Sequence, residues 1–121
     1  MTMTPEQRQE LRDFLAKEVM GWKTTWGHSW YSKNEEYTCN KEDFRPDSED
    51  SPTSQILGVI EAMREKGFNF NLNWQGHPGI TIALAQFHKF DTGELEVGQG
   101  SDDDPLLAIC LAAKAAVEAE K

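Results

Sequence analysis

From Phe68 to Trp74 the chain reads FNFNLNW, and the alternation never breaks. Phe68, Phe70, Leu72 and Trp74 fall on one face, and Asn69, Asn71 and Asn73 on the other. A period of two is the geometry of a strand with one buried face. QGHPG follows with turn chemistry, and ITIALAQFH is apolar on both faces, which predicts a central strand. DTG makes the next turn. ELEVG reads as an outer strand with Leu95 and Val97 inward. Three strands joined by short turns make an antiparallel meander, and most of the remaining chain has to cover it.

Helical signals flank the meander. Thr4-Pro5-Glu6-Gln7 reads as a capping box with proline in the first turn, and Leu11, Phe14, Leu15 and Val19 continue at helical spacing until Gly21. A helix over roughly residues 5 to 20 is expected. Ser51-Pro52 opens a second helix with Ile56, Leu57, Ile60 and Met63 on its buried face, and Gly67 suits its C-terminal stop. Asp104 and Pro105 open a third, along which Leu106, Ile109, Cys110, Ala113 and Val117 line one side. Its many alanines permit close approach to a neighbour. The expectation is one α+β domain over residues 1–121. It is a layered α/β/α sandwich of three helices and an antiparallel sheet of three or more strands.

Between the first two helices lies GWKTTWGHSWYS, Gly21 to Ser32, with three of the four tryptophans and no clear period. The polar run SKNEEYTCNKEDFRPDSEDS follows. The whole connection reads as mostly loop, with short strands conceivable at Ser29 to Tyr31 or Tyr37 to Cys39.

The chain has 21 acidic and 12 basic side chains and a formal charge of −9. Such a surface repels phosphate backbones, which speaks against nucleic-acid binding. The N-terminus lacks an apolar signal core and no run is long enough to span a bilayer, so no membrane is expected and cytoplasm is the default. Two cysteines without a pairing framework fit a reducing compartment.

Several pieces resemble the phage ABA sandwich domain, a family of small bacteriophage and prophage proteins. They are LAKEVMGW (Leu15 to Trp22), Trp30-Tyr31, DFRPDSED (Asp43 to Asp50) and, most specifically, DPLLAICLAAKAAV (Asp104 to Val117). The chain departs from the family pattern at Leu107 and in ITIALAQF, which lacks an expected tryptophan. The resemblance implies helical layers about a β layer, a phage origin and hence a host-cytoplasm location, and no particular reaction.

No catalytic constellation emerges. His28, His77, His88 and Cys39 stand at no zinc spacing, and Ser29 beside His28 is not a nucleophile motif. Gly93, Gly98 and Gly100 follow no phosphate-loop order and read as turn and strand-end residues. The aspartates of SEDS and SDDD are explained by helix capping. No catalytic residue, metal or cofactor is expected. Trp22 reads as a core plug, and Trp30 and Trp74 can be the same; Trp26 is the best exposed stacking ring. Arg45 can fork onto a ligand phosphate or carboxylate, or clamp the acidic DSED beside it. Asparagine is a poor strand former, so the Asn69, Asn71, Asn73 row invites a reason other than propensity. The ligand-binding candidates are Trp26, His28, Trp30, Tyr31, Arg45, Asn71, Asn73 and Trp74. Together with the resemblance they suggest a non-catalytic phage binding protein, a counter-defence factor that sequesters a nucleotide-derived immune signal. The alternatives are a protein that blocks a host defence protein by contact, a structural or regulatory accessory protein, and an enzyme degrading the signal. A homo-oligomer joined through the sheet edge or the alanine-rich helix is also open.

Overall fold

The first helix forms where its cap predicts. Thr4 Oγ1 accepts from the Gln7 backbone N–H at 3.1 Å, and Gln7 Oε1 accepts from the Thr4 N–H at 2.9 Å. This reciprocal box satisfies two of the donors a helix start leaves open. The computed structural model describes residues 3–25, 27–48, 50, 53–77, 80–91, 94–102 and 104–119. Helix α1 (Pro5–Phe14) continues as a π-helical turn, Leu15–Val19, and buries Leu11, Leu15, Ala16 and Val19. Gly21 stops it at φ 74°, a left-handed conformation that glycine adopts at little cost, and the Trp22 N–H donates to the Ala16 carbonyl at 2.9 Å.

The aromatic connection is more ordered than its lack of period suggests. It makes a small antiparallel sheet of β1 (Lys23–Thr25), β2 (Ser29–Tyr31) and β3 (Tyr37–Asn40) in that order. Trp30 pairs with Cys39 and Tyr31 with Tyr37, so Thr38 forms a bulge, and its hydroxyl donates to the Trp30 carbonyl at 2.6 Å. The strands are too short for alternation to show in the sequence. A 3-10 turn, Lys41–Asp43, leads to Phe44, which is buried with Trp22 edge-on to it at 4.9 Å.

Helix α2 (Thr53–Glu65) buries Ile56, Val59 and Met63. Leu57, expected on that face, is 54% exposed; Val59 takes the buried place. Gly67, at φ 98°, turns the chain into the main sheet of β4 (Asn69–His77), β5 (Ile80–Asp91) and β6 (Glu94–Asp102), in the order β4-β5-β6. This is the meander the alternation predicts, with β5 central. The register sets Phe70 opposite Phe87, Leu72 opposite Ala85 and Trp74 opposite Ala83 on one face. The side chains of Leu95 and Val97, expected inward, lie outside those described.

Helix α3 (Pro105–Ala119) begins where Asp104 Oδ1 accepts from the Leu106 N–H at 3.0 Å. It crosses β5 and β6, while α1, its π turn and α2 rest against α3. The domain is α+β, with three helices and two antiparallel three-stranded sheets. Because α3 is covered from two sides, more than half of it is core: Leu107 to Cys110, Ala112, Ala113, Ala116 and Val117 are buried.

The approach of α3 to β6 is very close. A Cβ placed on Gly98 would sit 2.1 Å from the Ala116 nitrogen, and one on Gly100 would sit 2.4 Å from the Ala108 carbonyl oxygen. These glycines are not strand-end residues, as the sequence suggests. They lie within β6, under the helix, where any side chain would hold the two elements apart.

Candidate functional site

The seven candidate residues that are described do not converge. Trp26 lies outside the described residues. His28 is exposed beside a shallow hollow of about 300 Å³ that it shares with Gly27, Asn40, Lys41 and Glu42. Trp30 is 1% exposed, with the Lys41 ammonium 4.9 Å from its ring centre. Its indole therefore belongs to the core and offers no stacking face, because β2 turns it inward into the hydrophobic cluster. Tyr31 is half-buried and meets Tyr37 edge-on at 5.9 Å. Tyr37, which sequence reasoning passed over, is 58% exposed, and its hydroxyl donates to Asn40 Oδ1 at 3.0 Å.

Arg45 is half-buried, and its backbone N–H donates to Gln55 Oε1 at 2.7 Å. Gln55 Nε2 in turn donates to the Asp43 carbonyl at 2.6 Å, which fixes this segment to α2. Asp47, in the same acidic run, is bound from the first helix. Arg12 Nε donates to Oδ1 at 2.7 Å and Arg12 Nη2 to Oδ2 at 3.2 Å, while Arg8 Nη1 reaches Oδ2 at 3.0 Å. The fork matches the planar carboxylate with two parallel bonds.

Asn71 and Asn73 are exposed on the sheet face away from α3. Trp74 is 56% exposed but projects to the opposite face, in the row of Ala83, beyond the cover of α3. Ring and amides of one strand therefore serve different surfaces, and a ligand lying on the asparagines cannot stack on this indole.

The open face is the most coherent polar surface described. Asn69, Asn71, Asn73 and Gln75 stand exposed along β4. Gln86 and His88 are half-buried on β5, and Gln99 and Ser101 are exposed on β6. Gln86 Nε2 donates to Gln99 Oε1 at 3.3 Å across the strands. Ile82 and Leu84 supply half-buried apolar ground between the amides. Each amide both donates and accepts, and no carboxylate, lysine or arginine occupies these ten positions. The sequence held part of the signal for Gln86 and His88: within ITIALAQFH they are polar and two apart, hence on one face, and the register sets that face with the asparagines, while Thr81 falls on the other.

A separate hollow of about 420 Å³ opens between α1, α3 and the end of β6, over Met3, Leu11 and Leu111 with Gln7, Glu10 and Lys114 at its rim. None of the seven described candidates lines it. Among the described residues no group of three or more His, Cys, Asp or Glu is placed to hold a metal ion. Also among them, no helix is long and apolar enough to cross a membrane. Cys39 and Cys110 are free thiols. Burial pushes the Cys110 thiol far above its ordinary range, and the nearby Asp47 carboxylate adds to the shift; it stays a neutral core group. Burial also raises Cys39, to which Asp43 contributes.

The chain matches no protein-family model, no curated protein and no solved structure.

Proposed function

We propose that the protein works by binding, and that the open face of the main sheet is its recognition surface. The observation that carries this reading is the neutral amide field: Asn69, Asn71, Asn73, Gln75, Gln86 and Gln99 on one face of three paired strands. In a chain of net charge −9, ten described positions without a carboxylate make an uncharged island. Such a field reads hydrogen-bonding edges rather than charge, as asparagine and glutamine do with the edge of a purine. Ile82 and Leu84 provide an apolar floor for a planar group.

The target that suits this chemistry is a nucleotide-derived signal held by its base, with phosphates directed away from the acidic surroundings. The motif resemblance suggests that such capture serves a bacteriophage, acting in the host cytoplasm as a counter-defence factor. A second reading rests on the breadth of the face: polar residues spread over three paired strands also fit a protein, and contact would then block a host defence component.

One experiment separates these readings. Protein purified from cells with an active nucleotide-signalling defence is heated, and the released small molecules are identified by mass spectrometry. Capture predicts an intact nucleotide. Asn71→Ala with Asn73→Ala removes two hydrogen bonds at about 1 kcal/mol each and lowers affinity roughly thirtyfold. A degraded product points to an enzyme instead, and a co-purifying host protein with no nucleotide points to the blocking role. Intact nucleotide retained equally by the double variant removes the amide face from the site.

A further inference from the structure

β4 is an edge strand of nine residues, and among the described residues no strand pairs with its outer side. Long exposed edges invite pairing, and proteins that stay monomeric blunt them with lysine, proline or an inward charge. Asn69–His77 reads NFNLNWQGH, with no proline, lysine, arginine or carboxylate, although 27% of the chain is charged. On its helix side, Trp74 is left 56% exposed. An unguarded backbone edge, a neutral strand and an uncovered indole therefore coincide on one element.

We propose that β4 pairs antiparallel with the β4 of a second copy of this chain, joining two three-stranded sheets into one of six strands. The strand is complementary to itself. With Leu72 on the twofold axis, Asn71 of one copy meets Asn73 of the other, Asn69 meets Gln75, and Phe70 meets Trp74. Amides lie against amides on the open face. On the helix side, each exposed indole gains an aromatic partner directly across the strands. A twofold interface needs this property, because the same patch must serve both partners. Charge sets the register of no other partner here: the chain as a whole is acidic, but β4 brings no carboxylate to the seam, so two copies meet there without like charges opposed, and the strand offers no charge by which a different partner would be selected. The pairing is independent of what the open face binds, and it makes that face continuous across two copies.

The mass of the full chain in solution tests this by sedimentation equilibrium. The expected mass is twice 13.7 kDa, falling to 13.7 kDa on dilution. N71D/N73D sets carboxylates opposite carboxylates and raises the dissociation constant at least about tenfold. N71D/N73K sets the introduced carboxylate of one copy against the introduced ammonium of the other and restores the dimer. Hydrogen exchange on the unaltered protein gives an answer that survives a misfolded variant: the β4 N–H groups directed away from β5 are protected when concentrated and exchange freely when dilute. A mass of one chain up to millimolar concentration overturns the proposal. So does a dimer indifferent to N71D/N73D, or exchange of those amides at one rate whatever the concentration. A monomeric N71D/N73K overturns the register with Leu72 on the axis.

Discussion

Among the described residues Asp47 is the one charged side chain that is fully buried, at 1% exposure. An isolated carboxylate would not tolerate this, and its three bonds from Arg8 and Arg12 are the reason it can stay. The arginines differ from it: their side chains keep 31% and 18% of their exposure, so part of each guanidinium is still hydrated. Asp47→Ala would therefore cost less than breaking a wholly buried pair, about 2 kcal/mol, through lost bonds and a cavity beside α1. Urea unfolding of parent and variant measures this, and an unchanged midpoint would make the cluster dispensable. The residue scale is where the sequence was least legible. DFRPDSED drew attention to Arg45 because it is the arginine within that run. Asp47 is satisfied by residues 35 and 39 positions away, a distance no local pattern spans. Trp30 and Trp74 posed the same difficulty. Both are large rings in strands, and only the tertiary packing decides that one is enclosed and the other open.

At the scale of elements, legibility follows length. The capping box of α1, the aspartate cap of α3 and the long alternation of β4 are local signals, and each element forms where its signal lies. β1, β2 and β3 have three or four residues each, no more than two full periods, and their pairing rests on contacts between separate turns. Gly98 and Gly100 show a different limit. Glycine ordinarily weakens a strand, so a strand-end reading is natural, yet here the missing side chains are what lets Ala108, Ala112 and Ala116 rest on β6. Gly98→Ala would force a methyl group against the Ala116 backbone, which cannot swing aside as a side chain could. The expected loss is about 3 kcal/mol, read as a lowered thermal midpoint. The control is Gly76→Ala, which meets nothing within 4 Å and should leave stability nearly unchanged. If the two variants melt alike, the close approach of helix and strand is wrong.

For the molecule as a whole, charge and packing pull in opposite directions. A net charge of −9 on 121 residues makes the compact state repel itself. Raising ionic strength from about 0.01 M to 0.15 M shortens the screening length from about 30 Å to about 8 Å, so the thermal midpoint should rise with salt. A midpoint that falls would mean that specific ion pairs outweigh the general repulsion. The cohesion opposing this repulsion is concentrated in α3, which joins the main sheet on one side to α1 and α2 on the other. That placement bears on how the chain is made. Residues 105–119 are translated after every element they hold together, so a nascent chain that has finished both sheets still lacks a large share of its interior. The emerging protein must wait, with its apolar strand face bare, for a final helix to slide between two halves that have little else to grip.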